Sequence, residues 1–173
     1  LIIALYGPPL LHVDFKFVSF EDIEDKVENP IIIWERENIL SNIIYKHAAK
    51  FPSPDQEWIK DRFWIWIHYI AAKIGRGELF ETIAAINFIR EKVLGPIILE
   101  RNNARPQGVR RLETHGGIYL DKLKNTIAEY SASSCINALK NVIELYQTLR
   151  SDKTTMDVEI QAIAYLDKIE NKI

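Results

Sequence analysis

Two short stretches of this sequence combine residue types that could do chemistry. In His12-Val13-Asp14-Phe15-Lys16-Phe17-Val18, strand-like alternation sends Val13, Phe15 and Phe17 to one face and His12, Asp14 and Lys16 to the other. The apolar face reads as a core face. A carboxylate flanked by strongly apolar strand neighbours is costly to desolvate unless a cation or a donor meets it, so Asp14 needs a partner, and a magnesium ion would serve. The solvated side of a half-exposed sheet, with a weak ion pair between Asp14 and its neighbours, accounts for the same pattern. Further on, Arg62, Trp66, Tyr69, Lys73 and Arg76 follow one another at steps of four, three, four and three residues, which places them on one stripe of a helix. Lys73 and Arg76 then stand near the end of a tryptophan-rich helix, beside Gly75 and Gly77, where a triphosphate could meet two cations at once. Aromatic residues filling a core, with a lysine stem lying along them, explain that stripe without any ligand.

The elements that must position these residues fall into two kinds. Residues 1–6 and 11–18 are β-rich runs separated by Gly7-Pro8-Pro9, which reads as a hairpin. Because the opening Leu1-Ile2-Ile3-Ala4-Leu5-Tyr6 has the character of the middle of a buried strand, the natural start is expected upstream of Leu1. Ser19 and the acids after it predict a short capped helix ending near Asn29-Pro30, and Ile31-Ile32-Ile33-Trp34 predicts a further strand. Beyond Pro52 and Pro54 the periodicity becomes helical. Ile59, Phe63, Ile67, Ile70 and Ile74 form the inward stripe of a helix over 55–74. A second helix over 78–94 turns Leu79, Ile83, Ile86 and Val93 inward, stops at Gly95-Pro96 and pairs with the first as an antiparallel hairpin. Helices are also expected over 120–130, 134–149 and 156–169. The fold class is therefore α+β: a β-containing part over 1–50, followed by a helical bundle over 51–173.

Composition narrows the functional classes. With 22 basic and 24 acidic residues the net charge is −2, which gives no blanket attraction to nucleic acid or to an anionic membrane, so a general nucleic-acid binder is not expected. Arg101, Arg105, Arg110 and Arg111 form the densest basic segment, readable as a solvated loop or helix face or as contact with an anionic acceptor. The single cysteine, Cys135, excludes an intrachain disulfide and cysteine-paired zinc, and on its apolar stripe it reads as inert core; a cytoplasmic home is expected. Short apolar runs give no membrane span, and His47 and His115 have no zinc-like spacing.

Beyond these patterns, Tyr6-Gly7-Pro8-Pro9-Leu10-Leu11-His12-Val13-Asp14-Phe15-Lys16-Phe17-Val18, then Trp34-Glu35-Arg36, Asp61-Arg62-Phe63-Trp64 and Lys73-Ile74-Gly75-Arg76-Gly77-Glu78 together resemble the later part of bacterial nucleotidyltransferases of the polymerase-beta superfamily, similar to aminoglycoside 6-adenylyltransferases. The resemblance implies that residues 1–50 end a small nucleotidyltransferase sheet domain and that the helices form the domain closing over nucleotide and acceptor. It further implies that Asp14 is the third catalytic, metal-binding carboxylate, that Lys73 contacts phosphate, and that Arg76 assists more weakly. The implied reaction passes a nucleoside monophosphate from ATP or another nucleoside triphosphate to a hydroxyl acceptor, with Mg2+ or Mn2+ neutralising the phosphates. The acceptor is unspecified. The other two carboxylates of that family lie in a Gly-Ser motif followed by an acid-x-acid pair, and no such motif occurs here, so the chain alone is expected to be incomplete for catalysis.

Two other readings stand beside it. A non-catalytic nucleotide- or partner-binding module would use the helical bundle to present Trp58, Trp64 and Trp66, although those residues also suit packing between the β part and the bundle. Arg62 and His68, six positions apart on one helix, resemble the arginine–histidine signature of HEPN ribonucleases. That step turns a helix by about 240 degrees, so the two side chains are not expected to share a face.

Overall fold

A computed structural model describes all 173 residues. The chain divides into two compact units, Leu1–Pro52 and Ser53–Ile173. In the first, β1 (Ile2–Tyr6) pairs antiparallel with β2 (Leu11–Phe15), placing Ala4 opposite Val13 and Ile3 opposite Asp14. The helix α1 (Phe20–Glu24) begins at a capping box in which Ser19 and Asp22 satisfy each other's backbone N–H groups. The helix α2 (Ile39–Lys46) follows.

Several expectations for this unit are corrected. The run Ile31–Trp34 is not a strand; Ile31 and Ile33 are 91% and 96% exposed, and the sheet has only two strands. The hairpin is not a buried one either, since Ile3 and Leu5 of β1 are open and Phe17 lies past the end of β2 at 79% exposure. Of the expected core face, only Val13 is partly covered. The physical reason is the size of the sheet: two strands cannot cover their own apolar faces.

The second unit contains every buried residue of the chain. Here α3 (Gln56–Gly75) starts at Asp55, whose side chain accepts from the Trp58 N–H, and packs against α4 (Leu79–Ile89), α8 (Ala132–Leu149) and α9 (Asp157–Glu170). The five expected α3 core residues are all buried, and Phe63 stacks on Tyr146 with ring centroids 3.6 Å apart. The stripe Cys135, Leu139, Val142, Tyr146 and Leu149 of α8 is buried as well, and burial raises the Cys135 thiol above its ordinary value.

Gly95-Pro96 does not end the second helix, as the sequence suggested. The chain passes from α4 through a π-helical turn, Arg90–Leu94, directly into α5 (Gly95–Arg101). The wider turn lets the Gly95 N–H reach the Arg90 carbonyl just before a proline that has no N–H to offer. Short helices α6 (Leu112–His115) and α7 (Leu120–Lys124) then lead to α8. The helix expected over 120–130 is thus only its first turn, closed by Thr126, whose hydroxyl donates to the Leu123 carbonyl at 2.6 Å. No helix is long and apolar enough to cross a membrane.

Candidate functional site

The α3 stripe converges on Lys73, and the way α3 ends explains why. Gly77 takes a left-handed conformation (φ +73°), its N–H bonds the Ile74 carbonyl, and the Glu78 N–H bonds the Lys73 carbonyl. This glycine-capped reversal returns the chain towards its own last turn. It delivers Glu78, and one turn later Glu81, to the side chain of Lys73.

The resulting cluster is dense. Lys73 Nζ donates to Glu78 Oε2 at 2.6 Å and to Glu81 Oε2 at 2.7 Å, and it lies 5.0 Å from the centre of the Tyr69 ring. The Tyr69 hydroxyl donates to Glu81 Oε1, and Arg76 Nε donates to Glu78 Oε1 at 2.5 Å. Only 13% of the Lys73 side chain is exposed, whereas Arg76 is half open at 53%. The electrostatics follow from these contacts. Glu78 is lowered from 4.5 to about 2, first by Arg76 and then by Lys73. Glu81 is lowered by Lys73 and Tyr69, while Lys73 is raised by Glu78 and Glu81.

Lys73 and Arg76 are therefore brought together, as their spacing suggested, but each is already bonded to a carboxylate. Glu78 and Glu81 are the residues that reading the α3 stripe alone passes over. Their signal lies in the sequence: acids five and eight positions beyond Lys73, across a Gly-Arg-Gly turn that folds them back.

Towards the start of α3 the same stripe is aromatic. Trp58 and Trp66 lie 5.2 Å apart, Trp66 meets Phe88 of α4 edge-on at 5.4 Å, and the Arg62 guanidinium sits 5.2 Å over the Trp58 ring. Trp64, by contrast, is buried inside the helical unit against Phe63 and Tyr146. Arg62 and His68 have separate neighbours: Arg62 covers Trp58, and the His68 ring lies 4.5 Å from that of Tyr165.

Asp14 belongs to the other unit. It stands on the polar face of β2, where His12 Nε2 lies 2.7 Å from Asp14 Oδ1, with the two side chains 61% and 56% exposed. At that exposure Asp14 is solvated and needs no partner to offset burial, and its contact with His12 is the weak surface pair of a half-exposed sheet. The structure contains no group of three or more His, Cys, Asp or Glu side chains placed to hold a metal ion. Magnesium takes a near-octahedral oxygen shell, and Asp14 with His12 supplies only one carboxylate of it. These residues by themselves do not make a magnesium site. Comparison with models of known protein families and with curated proteins finds no match.

Proposed function

We propose that this chain carries one part of a nucleotidyltransferase of the polymerase-beta type, in which the Lys73 end of α3 receives the triphosphate and Asp14 supplies one metal-binding carboxylate. The observation that carries this reading is the Lys73 cluster: a lysine held on rigid backbone at a glycine-capped helix end, beside a half-exposed arginine. An incoming phosphate could take over donors now directed at Glu78 and Glu81. Until then those carboxylates keep the lysine charged and aimed. The motif-level resemblance around Asp14 and around Lys73 supplies the reaction class: nucleoside monophosphate transfer from ATP or a related triphosphate to a hydroxyl acceptor, assisted by Mg2+ or Mn2+. The remaining metal-binding carboxylates are not in this sequence's motifs, so no catalytic step is assigned to these residues alone.

The test is a titration of the protein with a non-hydrolysable ATP analogue, with and without Mn2+. The expected outcome is saturable binding that Mn2+ strengthens in the wild-type chain and leaves unstrengthened in Asp14→Asn. Equal manganese dependence in both proteins would remove Asp14 from the site.

A second reading, a binding module without catalysis, is favoured by a specific observation: each cation of the cluster is neutralised by an acid, and Asp14 is the only carboxylate on β1 and β2. It is distinguished by nucleotide binding that is indifferent to divalent metal.

A further inference from the structure

We propose that the groove beside Arg90 binds a small amphiphilic anion, a carboxylate or phosphate monoester borne on an apolar body. The groove has a volume of about 240 Å³ between the end of α4, α6 and α7, and Arg90, Lys124, Leu112, Leu120, Leu123 and Ile127 are among its lining residues. It is separate from the Lys73 cluster, which sits at the beginning of α4.

Arg90 is the reason for assigning an anion. Its Nε donates to Thr126 Oγ1 at 2.9 Å, one Nη to Asn87 Oδ1 at 2.9 Å and the other to the Thr126 carbonyl at 2.6 Å. All three acceptors are neutral. A guanidinium carries five N–H donors, so one on each terminal nitrogen is left without a protein partner, and paired donors of this kind suit a carboxylate or phosphate. The side chain is half-buried, and desolvation pushes its value below that of an ordinary arginine. A desolvated cation without a counter-charge gains most from an anion that arrives with its own.

The setting is also fixed in advance. Thr126 is fully buried and holds Arg90 by both its hydroxyl and its carbonyl. Arg90 opens the π-helical turn, and at Gly95 an added Cβ would come within 2.4 Å of the Gly108 carbonyl, so the loop carrying Val109 is packed directly on the helix. Lys124 adds a second cation to the lining but pairs with Asp121 at 2.9 Å, which leaves Arg90 as the lining cation held by neutral groups alone. Glu113 also lines the groove and would repel a second negative group, which limits the ligand to one compact anionic end. The apolar lining, with Ile127 65% exposed, supplies a surface for the remainder.

The probes are 1-naphthyl phosphate, 1-naphthoate, 1-naphthol and inorganic phosphate, titrated into the full chain while the Arg90 Nε–H resonance is followed. At least one naphthyl anion is expected to bind saturably and shift that resonance, about tenfold or more tightly than naphthol or inorganic phosphate. The tighter of the two anions identifies the ligand as a phosphate monoester or a carboxylate. Arg90→Lys, which loses the fork, should weaken binding about tenfold. Ile127→Ser, at an exposed position that leaves the fold intact, should weaken the naphthyl anions about fivefold. No saturable shift with either naphthyl anion, or unchanged affinity in Ile127→Ser, would overturn the proposal.

Discussion

Lys73 is held by two carboxylates and faces a tyrosine ring, so it is a fully partnered ammonium. The cluster has a definite pH signature. Glu78 is depressed from 4.5 to about 2, so its contribution to stability is present above pH 4.5 and is lost as the pH falls towards 2. Lys73 is raised, so its contribution is complete below its ordinary value of 10.5 and disappears only at higher pH. In urea unfolding, wild type should exceed Glu78→Gln in midpoint at pH 7, and the difference should close between pH 4.5 and about 2. A difference independent of pH across that window would show that the glutamate acts through packing instead. The exposed His12–Asp14 contact is of another kind, and Asp14→Asn should change stability by less than about 1 kcal/mol.

At the level of elements, helical periodicity made the α3 and α8 cores legible, because a helix buries one stripe whatever lies around it. Phe63→Ala should cost about 3 to 5 kcal/mol in chemical denaturation, since Phe63 is fully buried and stacked on Tyr146. The junction of α8 and α9 was not legible. Arg150 and Glu159 form a forked ion pair there, with Nη1 to Oε2 at 2.7 Å and side chains 11% and 3% exposed, and Gln147 adds a third bond. Nothing local marks two residues nine positions apart across a loop as a buried pair. Glu159→Ala, which strands the arginine, should cost about 3 to 5 kcal/mol, whereas replacing both partners with apolar residues should cost much less. Gly95-Pro96 misled in the opposite direction: its punctuation is that of a helix end, yet the π turn carries the chain through. The run Ile31–Trp34 has strand composition but no strand beside it, and composition alone cannot supply a hydrogen-bonding partner.

For the molecule as a whole, the division of the chain at Pro52 and Ser53 is also a division of stability. Every buried residue lies in Ser53–Ile173, while Leu1–Pro52 holds a two-stranded sheet and two short helices with no buried side chain. A fragment spanning 53–173 should therefore unfold cooperatively with nearly the midpoint of the full chain, and a fragment spanning 1–52 should show no cooperative transition by circular dichroism. The change from alternating to helical periodicity near Pro52 and Pro54 made this organisation readable. The exposure of the hairpin was not readable, because the same apolar alternation serves a covered sheet and an open one. In the second unit, the proposed triphosphate contact at the Lys73 end of α3 is tested by comparing the affinities of the full chain for ATP and for adenosine in wild type, Lys73→Ala and Glu81→Gln. Lys73→Ala should weaken ATP about tenfold while leaving adenosine unchanged, and Glu81→Gln, which frees the lysine from one competitor, should tighten ATP several-fold. Equal ATP affinity in all three proteins would contradict that contact.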